Sequence, residues 1–230
     1  MLDSTYLLIV LIPGLMIATY TSFRVRYCFT KFSTVISSSR LTGSQAAIKM
    51  LHYSGIYDVE VERVDGFLSD HYDTNKRVLR LSSDVFDKMS ISAICVACHE
   101  AGHAIQHANS YSPLVIRNVL VPVVSSVSYI SYFVILIGLF IMSQEVMYIG
   151  IALFCFVILF ALITLPIEYD ASMRAKKIMY EAGIVHSIEE VNMSSKVLNA
   201  AYMTYVAAVI NTLLVLIYYI IRAKNMLSRR

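Results

Sequence analysis

The 230-residue sequence predicts a mostly α membrane protein, with about four transmembrane helices and one small α+β unit. Three observations predict it. Hydrophobic residues make up 57% of the chain and charged ones only 15%, whereas soluble domains run to about a quarter charged. The deficit is segmental: stretches 4–23, 118–144, 146–167 and 197–221 contain none of the 19 Lys/Arg or 16 Asp/Glu. About 20 apolar residues are enough to cross a bilayer core as a helix, and all four stretches reach that length. Between them, residues 24–117 show the mixed periodicity of a folded unit. An ordinary soluble enzyme, a disordered chain and a collagen-like chain are excluded, and 4 Cys do not make a disulfide scaffold. A net charge of +3 gives no case for a nucleic-acid partner.

Taken in order, residues 1–23 read as an uncleaved membrane anchor. A secretory signal starts basic and ends at a small-residue cleavage site; here the first basic residues, Arg24 and Arg26, follow the apolar run. Pro13-Gly14 should loosen this helix. Residues 118–167 read as a transmembrane hairpin with Glu145 as its linking charge, and residues 197–230 as a C-terminal membrane helix with a basic tail. Cytoplasmic flanks collect Lys and Arg. Arg24, Arg26, Lys31, Arg117, Arg174, Lys176, Lys177 and Lys196 therefore place residues 24–117 and 168–196 on the cytoplasmic face of the cell membrane. Arg222, Lys224, Arg229 and Arg230 oppose this if the last helix crosses fully, and they are outnumbered. In that compartment Cys28, Cys95, Cys98 and Cys155 stay thiols.

Within 24–117, Thr42-Gly43-Ser44 followed by residues 45–52 reads as a capped helix ending at Gly55. Residues 57–64 alternate as a strand, Val59 and Val61 on one face and Glu60 and Glu62 on the other, until Gly66. Residues 67–72 and 77–81, separated by Asp73-Thr74-Asn75-Lys76, predict a hairpin. From Ser90 to about Asn109 helix formers run without Pro.

That last helix carries His99-Glu100-Ala101-Gly102-His103, an HExxH pattern. Imidazoles four apart on a helix project about 40° from one another, so both reach one zinc ion. Glu100 lies beside them and can take a proton from an attacking water without coordinating. The pattern calls for one catalytic Zn2+ and a hydrolytic reaction. His107 continues the series, but eight residues of helix rise about 12 Å, too far for His99 and His107 to meet one ion. It reads as a neighbouring polar or structural residue. A third ligand must come from elsewhere. Glu168 is the first candidate, expected on a new helix with Pro166 in its first turn and Gly183 at its stop. Asp170, two residues on and on another face, competes.

Several blocks then occur together in order: Leu41-Thr42-Gly43; Leu68-Ser69-Asp70-His71-Tyr72-Asp73; Ala97 to His103 running on to Gln106-His107; Leu165-Pro166-Ile167-Glu168-Tyr169-Asp170-Ala171-Ser172; and Leu198-Asn199-Ala200-Ala201 with Thr204-Tyr205-Val206-Ala207. Through them the chain resembles the YugP-type bacterial membrane zinc metallopeptidases over nearly its whole length. More distantly it is similar to the HtpX and CaaX prenyl protease type of gluzincin, where a pair of membrane helices can separate HExxH from a later Glu ligand. The resemblance implies a zincin-like catalytic unit, zinc ligands His99, His103 and Glu168, and Glu100 as general base. Similarity to HtpX-like enzymes implies work in membrane-protein quality control. The chain departs from the distant relatives at Ser172, where their pattern has an Asp that orients a ligand histidine.

Asp70-His71-Tyr72-Asp73 precedes the His helix in the predicted hairpin. An edge strand there can hold an extended peptide, and His71 or Tyr72 can bind substrate or stabilise an oxyanion; a polar turn at Asp73 is the plainer reading. Tyr202 and Tyr205 are weaker oxyanion candidates, because Tyr at a membrane boundary serves as an anchor. Cys95-Val96-Ala97-Cys98-His99 matches the CxxCH haem-attachment pattern. Against it, haem attachment belongs outside the membrane, His99 is needed in HExxH, and apolar neighbours suit a buried helix, so the cysteines read as small core residues. The expected function is a membrane-embedded zinc peptidase acting on peptide or membrane-protein substrates in a lipid bilayer. A non-enzymatic metal-binding or scaffold protein with the same fold is the alternative, and no oligomeric state follows from the sequence.

Overall fold

The computed structural model describes residues 4–66 and 69–227. Phe67 and Leu68 of the expected hairpin, and Arg229 and Arg230 of the basic tail, lie outside the described residues. In chain order come helix α1 (Ser4–Ser33), α2 (Gly43–Tyr53), strands β1 (Glu60–Val64), β2 (His71–Asp73) and β3 (Val78–Ser82), a short α3 (Ser83–Phe86), α4 (Ile91–Ala108), and the long α5 (Ser112–Phe140), α6 (Gln144–Glu181) and α7 (Ile188–Leu227). Helices α1, α5, α6 and α7 are each long and apolar enough to cross a membrane. The chain is a mostly α, multi-pass membrane protein with a small α+β unit.

Contacts divide the chain into two compact units. One comprises Met1–Thr21, Ile116–Leu165 and Thr204–Arg230. Its packed centre is Ile135, Met147, Ile151, Phe154, Ile158 and Ala223. Helices α5 and α6 approach closely where Gly150 faces Ile135: a Cβ there would stand 2.5 Å from the Ile135 side chain, the small-residue contact typical of membrane helices. Helix α1 contains a π-helical turn at Leu7–Leu11, closed by the Ile12 N–H on the Leu7 carbonyl. The loosening expected at Pro13-Gly14 is found in this preceding turn, where the proline ring would crowd a regular helical carbonyl.

The other unit comprises Ser22–Val115 and Pro166–Met203. Helix α2 starts at Thr42, whose hydroxyl accepts the Gln45 N–H while the Gln45 side chain takes the Thr42 N–H, a reciprocal cap. After it, Gly55 turns the chain at φ 76°. Strand β3 lies centrally, paired parallel to β1 and antiparallel to β2. The β2–β3 turn is held by the Asp73 carboxylate, which accepts the N–H groups of Asn75 and Lys76. Ser90 caps α4 by accepting the Ala93 N–H. The core beneath is Met50, Leu51, Leu79, Leu81, Ile94 and Met179 with Cys95 and Cys98, all buried. At the α6–α7 corner the buried Glu190 carboxylate accepts the Ser38 and His186 N–H groups and the Ser38 hydroxyl.

One expectation is corrected. No new helix begins at Pro166: α6 runs unbroken from Gln144 to Glu181 with Pro166 inside it. Proline forfeits one helical hydrogen bond, but an apolar helical run leads into it and the chain continues as helix beyond it, stopping at Gly183, in the left-handed conformation at φ 60°.

Candidate metal centre

Helix α4 is amphipathic by composition. Ala97, Cys98, Ala101, Ala104 and Ile105 face the core and are buried, which leaves His99, Glu100 and His103 half-buried on the adjoining face. The two imidazole rings lie edge to face with centroids 4.8 Å apart. Helix α6 crosses directly over them. Gly102 permits this: a Cβ built there would lie 2.7 Å from the Ala171 carbonyl oxygen. The crossing brings Glu168, 3% exposed, to the histidines. Its Oε2 stands 3.2 Å from His99 Nε2 and 3.6 Å from His103 Nε2.

His99, His103 and Glu168 thus offer one donor each, all within 4.8 Å of one another. A tetrahedral zinc ion with donors about 2.05 Å away holds those donors about 3.3 Å apart. Separations of 3.2 and 3.6 Å bracket that value, and two imidazoles with one carboxylate are a usual donor set for zinc with a position left open. The residues fit the ion. Among the described residues, this is the one cluster of three or more His, Cys, Asp or Glu close enough to hold a metal.

Neighbouring groups complete the electrostatics. Burial holds the Glu100 carboxyl above the ordinary carboxylate range; His103 and His99 oppose this and Glu168 and Asp70 add to it. Burial disfavours the His103 imidazolium, but the hydrogen bond to Glu168 and the charges of Glu100 and Glu168 outweigh it and push its pKa up to about 9. On the far ring nitrogens, His103 Nδ1 lies 3.0 Å from Gln106 Oε1 and His99 Nδ1 lies 3.2 Å from the Ser172 hydroxyl. Ser172, singled out for standing where an Asp was expected, reaches a histidine after all. Gln106 stands three residues after His103 on the same helix face, which is the signal the sequence carries for this contact.

Other sequence candidates are placed elsewhere. Asp170 is turned to Gln106 and Arg174, 2.8 and 2.5 Å away, and is not among the three clustered donors. His107 Nδ1 meets the Tyr72 hydroxyl at 2.9 Å, so neither is part of the cluster. His71 is exposed, its Nδ1 2.8 Å from the Ser69 carbonyl oxygen. Strand β2, which carries both His71 and Tyr72, pairs only with β3 among the described strands. Asp70 accepts the Ser82 N–H and hydroxyl, pinning β2 to the end of β3; burial raises its carboxyl above the usual range. Tyr202 packs edge-on against Tyr169. Cys95 and Cys98 are wholly buried, and burial pushes the Cys95 thiol up to about 12. They point into the core and offer no attachment for haem.

Comparison with known proteins places the chain in a family. The profile of the family described as "Putative neutral zinc metallopeptidase" matches residues 7–224. The chain is 44% identical over 209 residues to the "Putative membrane protease YugP" of Bacillus subtilis (strain 168), covering 91% of this chain and 92% of that protein. No solved structure matches it.

Proposed function

The chain belongs to the family of neutral zinc metallopeptidases, and from that premise we propose that it cleaves peptide bonds with His99, His103 and Glu168 as zinc ligands and Glu100 as general base, in the manner of gluzincins. The observation that carries this is the convergence of three donors from two helices, His99 and Glu168 standing 69 positions apart in sequence, with Glu168 3.2 and 3.6 Å from the two imidazoles. Bound there, zinc supplies Lewis-acid polarisation and makes water more acidic. The chain's own residues do the remainder. Glu100 takes the proton of the attacking water on a carboxylate oxygen and returns it to the nitrogen of the leaving amine. Its raised proton affinity suits both transfers near neutral pH. The outer edge of β2 can take an extended peptide as an added strand, with His71 and Tyr72 as substrate-contacting or oxyanion-stabilising side chains.

In this reading residues 24–117 and 168–196 form the catalytic unit on the cytoplasmic side, set there by the Lys and Arg that flank the spans. The substrates are peptides or membrane proteins, and the role is membrane-protein quality control. The test compares purified wild type with Glu100→Gln. Both should hold one zinc per chain, while the variant loses about 10²- to 10⁴-fold in peptidase rate; equal cleavage by the two proteins refutes the assignment.

A further inference from the structure

Gln106 is wholly buried, yet all its polar atoms are engaged. Its Nε2 donates to the Ile167 carbonyl oxygen at 2.8 Å and to the Asp170 carboxylate at 2.8 Å. An amide nitrogen has two hydrogens, so both are consumed by acceptors that cannot donate. The amide therefore cannot flip: a flipped Oε1 would face one carbonyl and one carboxylate oxygen. Its Oε1 is left pointing at His103 Nδ1, 3.0 Å away. An oxygen with no hydrogen can only accept there, so Nδ1 must carry the proton. That leaves the Nε2 lone pair of neutral His103 directed to the side where Glu168 stands. Asp170 is held in turn by Arg174, whose Nε lies 2.5 Å from the same carboxylate oxygen, and whose guanidinium rests over the Tyr111 ring at 5.8 Å.

His99 has no comparable restraint. Its Nδ1 faces the Ser172 hydroxyl, which can donate or accept by rotating. The two candidate ligand histidines are thus held unequally, one by a fixed polarity and one by an adjustable hydroxyl.

We propose that Gln106 and Asp170 are positioning residues: Asp170 fixes the orientation of the Gln106 amide, and Gln106 fixes the His103 tautomer that can bind a metal. The proposal rests on the zinc-ligand reading above. Asp170, next-but-one to Glu168 in sequence, contributes as a partner of the other ligand helix and not as a ligand. Residues on opposite sides of the α4–α6 crossing are linked through a single amide, so the histidine on α4 is set by a side chain and a carbonyl of α6. Outer partners of this kind change metal affinity about 10- to 100-fold when removed.

The test uses the full-length protein in detergent or nanodiscs, with zinc affinity measured by competition against a chelator of known affinity. Gln106→Leu should weaken zinc binding about 10- to 100-fold. Asp170→Leu should weaken it as well, although Asp170 touches no histidine. Asp170→Asn, which can still turn an oxygen toward the Gln106 amide, should stay within about threefold of the wild type. Because Asp170 acts through Gln106, the double Leu variant should bind zinc no more weakly than Gln106→Leu alone, a non-additivity that generic destabilisation does not produce. Affinity of Gln106→Leu within about threefold of the wild type, or a double-variant loss equal to the product of the single losses, overturns the proposal. Should Gln106→Leu fail to fold, Asp170→Leu at its half-buried site decides, and wild-type affinity there overturns it. A wild-type protein that binds no zinc overturns the ligand reading and this proposal together, whereas tight wild-type binding with unaffected variants removes the proposal alone.

Discussion

Gly102→Ala adds a single methyl group at the point where α4 and α6 touch. The new Cβ would lie 2.7 Å from the Ala171 carbonyl oxygen and 3.3 Å from that residue's Cα and carbonyl carbon. The close carbon–oxygen approaches of packed helices are about 3.3 Å, so the helices must part by about 0.6 Å. Backbone stands on the receiving side, with no flexible side chain to yield. Glu168 lies one helical turn before Ala171 on the same helix, so the displacement is delivered to the donor that faces His99 at 3.2 Å and His103 at 3.6 Å. Metal–ligand distances tolerate only about 0.2 Å. Zinc affinity should fall about 10- to 100-fold, comparable to losing an orienting partner. Global stability is a poorer readout. Overpacking costs about 1–3 kcal/mol, while replacing a mid-helix glycine by alanine returns up to about 1 kcal/mol. Chelator competition on the purified variant is therefore the decisive assay. Zinc binding by Gly102→Ala within about twofold of the wild type would refute the claim that close helix approach sets the metal site.

Four more outcomes follow from the geometry. With His103 as a zinc ligand, as proposed, the ion must displace the proton that His103 holds with a pKa of about 9, so apparent affinity should climb by up to about tenfold per pH unit from neutrality and level off above that pKa; a flat profile over this range contradicts it. The same proton stabilises the metal-free fold, since the folded pKa is raised above 6.5: the contribution is full below pH 6.5 and lost as pH rises through about 9. Glu190→Ala removes the acceptor of the Ser38 and His186 N–H groups, at about 1 kcal/mol for each hydrogen bond lost; a denaturation midpoint unchanged from the wild type would disprove that role. His107→Ala, which loses a bond to the Tyr72 hydroxyl and no metal donor, should keep one zinc per chain while losing about 1 kcal/mol of stability, and zinc loss would place His107 in the ligand set.

What the sequence disclosed was local. The HExxH pair is legible because two imidazoles one turn apart share a face whatever surrounds them, and Ser90 announces its helix because a cap acts within three residues. Thr42 with Gln45 is readable for the same reason. Pro166 misled because the rule that proline opens helices describes helices with nothing before them; here an apolar run already in helical form carries through it. The parallel pairing of β1 with β3 was invisible, since no turn records it and its partners are about 18 residues apart. So was the bond from Gln106 to Asp170, 64 positions away. It exists only because two helices cross at a glycine, and glycine at 102 reads in isolation as nothing more than a small residue.

The two cysteines beside the metal helix's histidines have a use that follows from their burial. Cys95 and Cys98 expose none of their surface, and burial pushes both thiols well above their ordinary pKa. A maleimide reaches them only in the fraction of molecules whose α4 has come away from its core. In a background of Cys28→Ser and Cys155→Ser, the labelling rate becomes a clock for that opening, read without any substrate. Run with and without zinc, the same clock reports how firmly the ion ties α4 to α6.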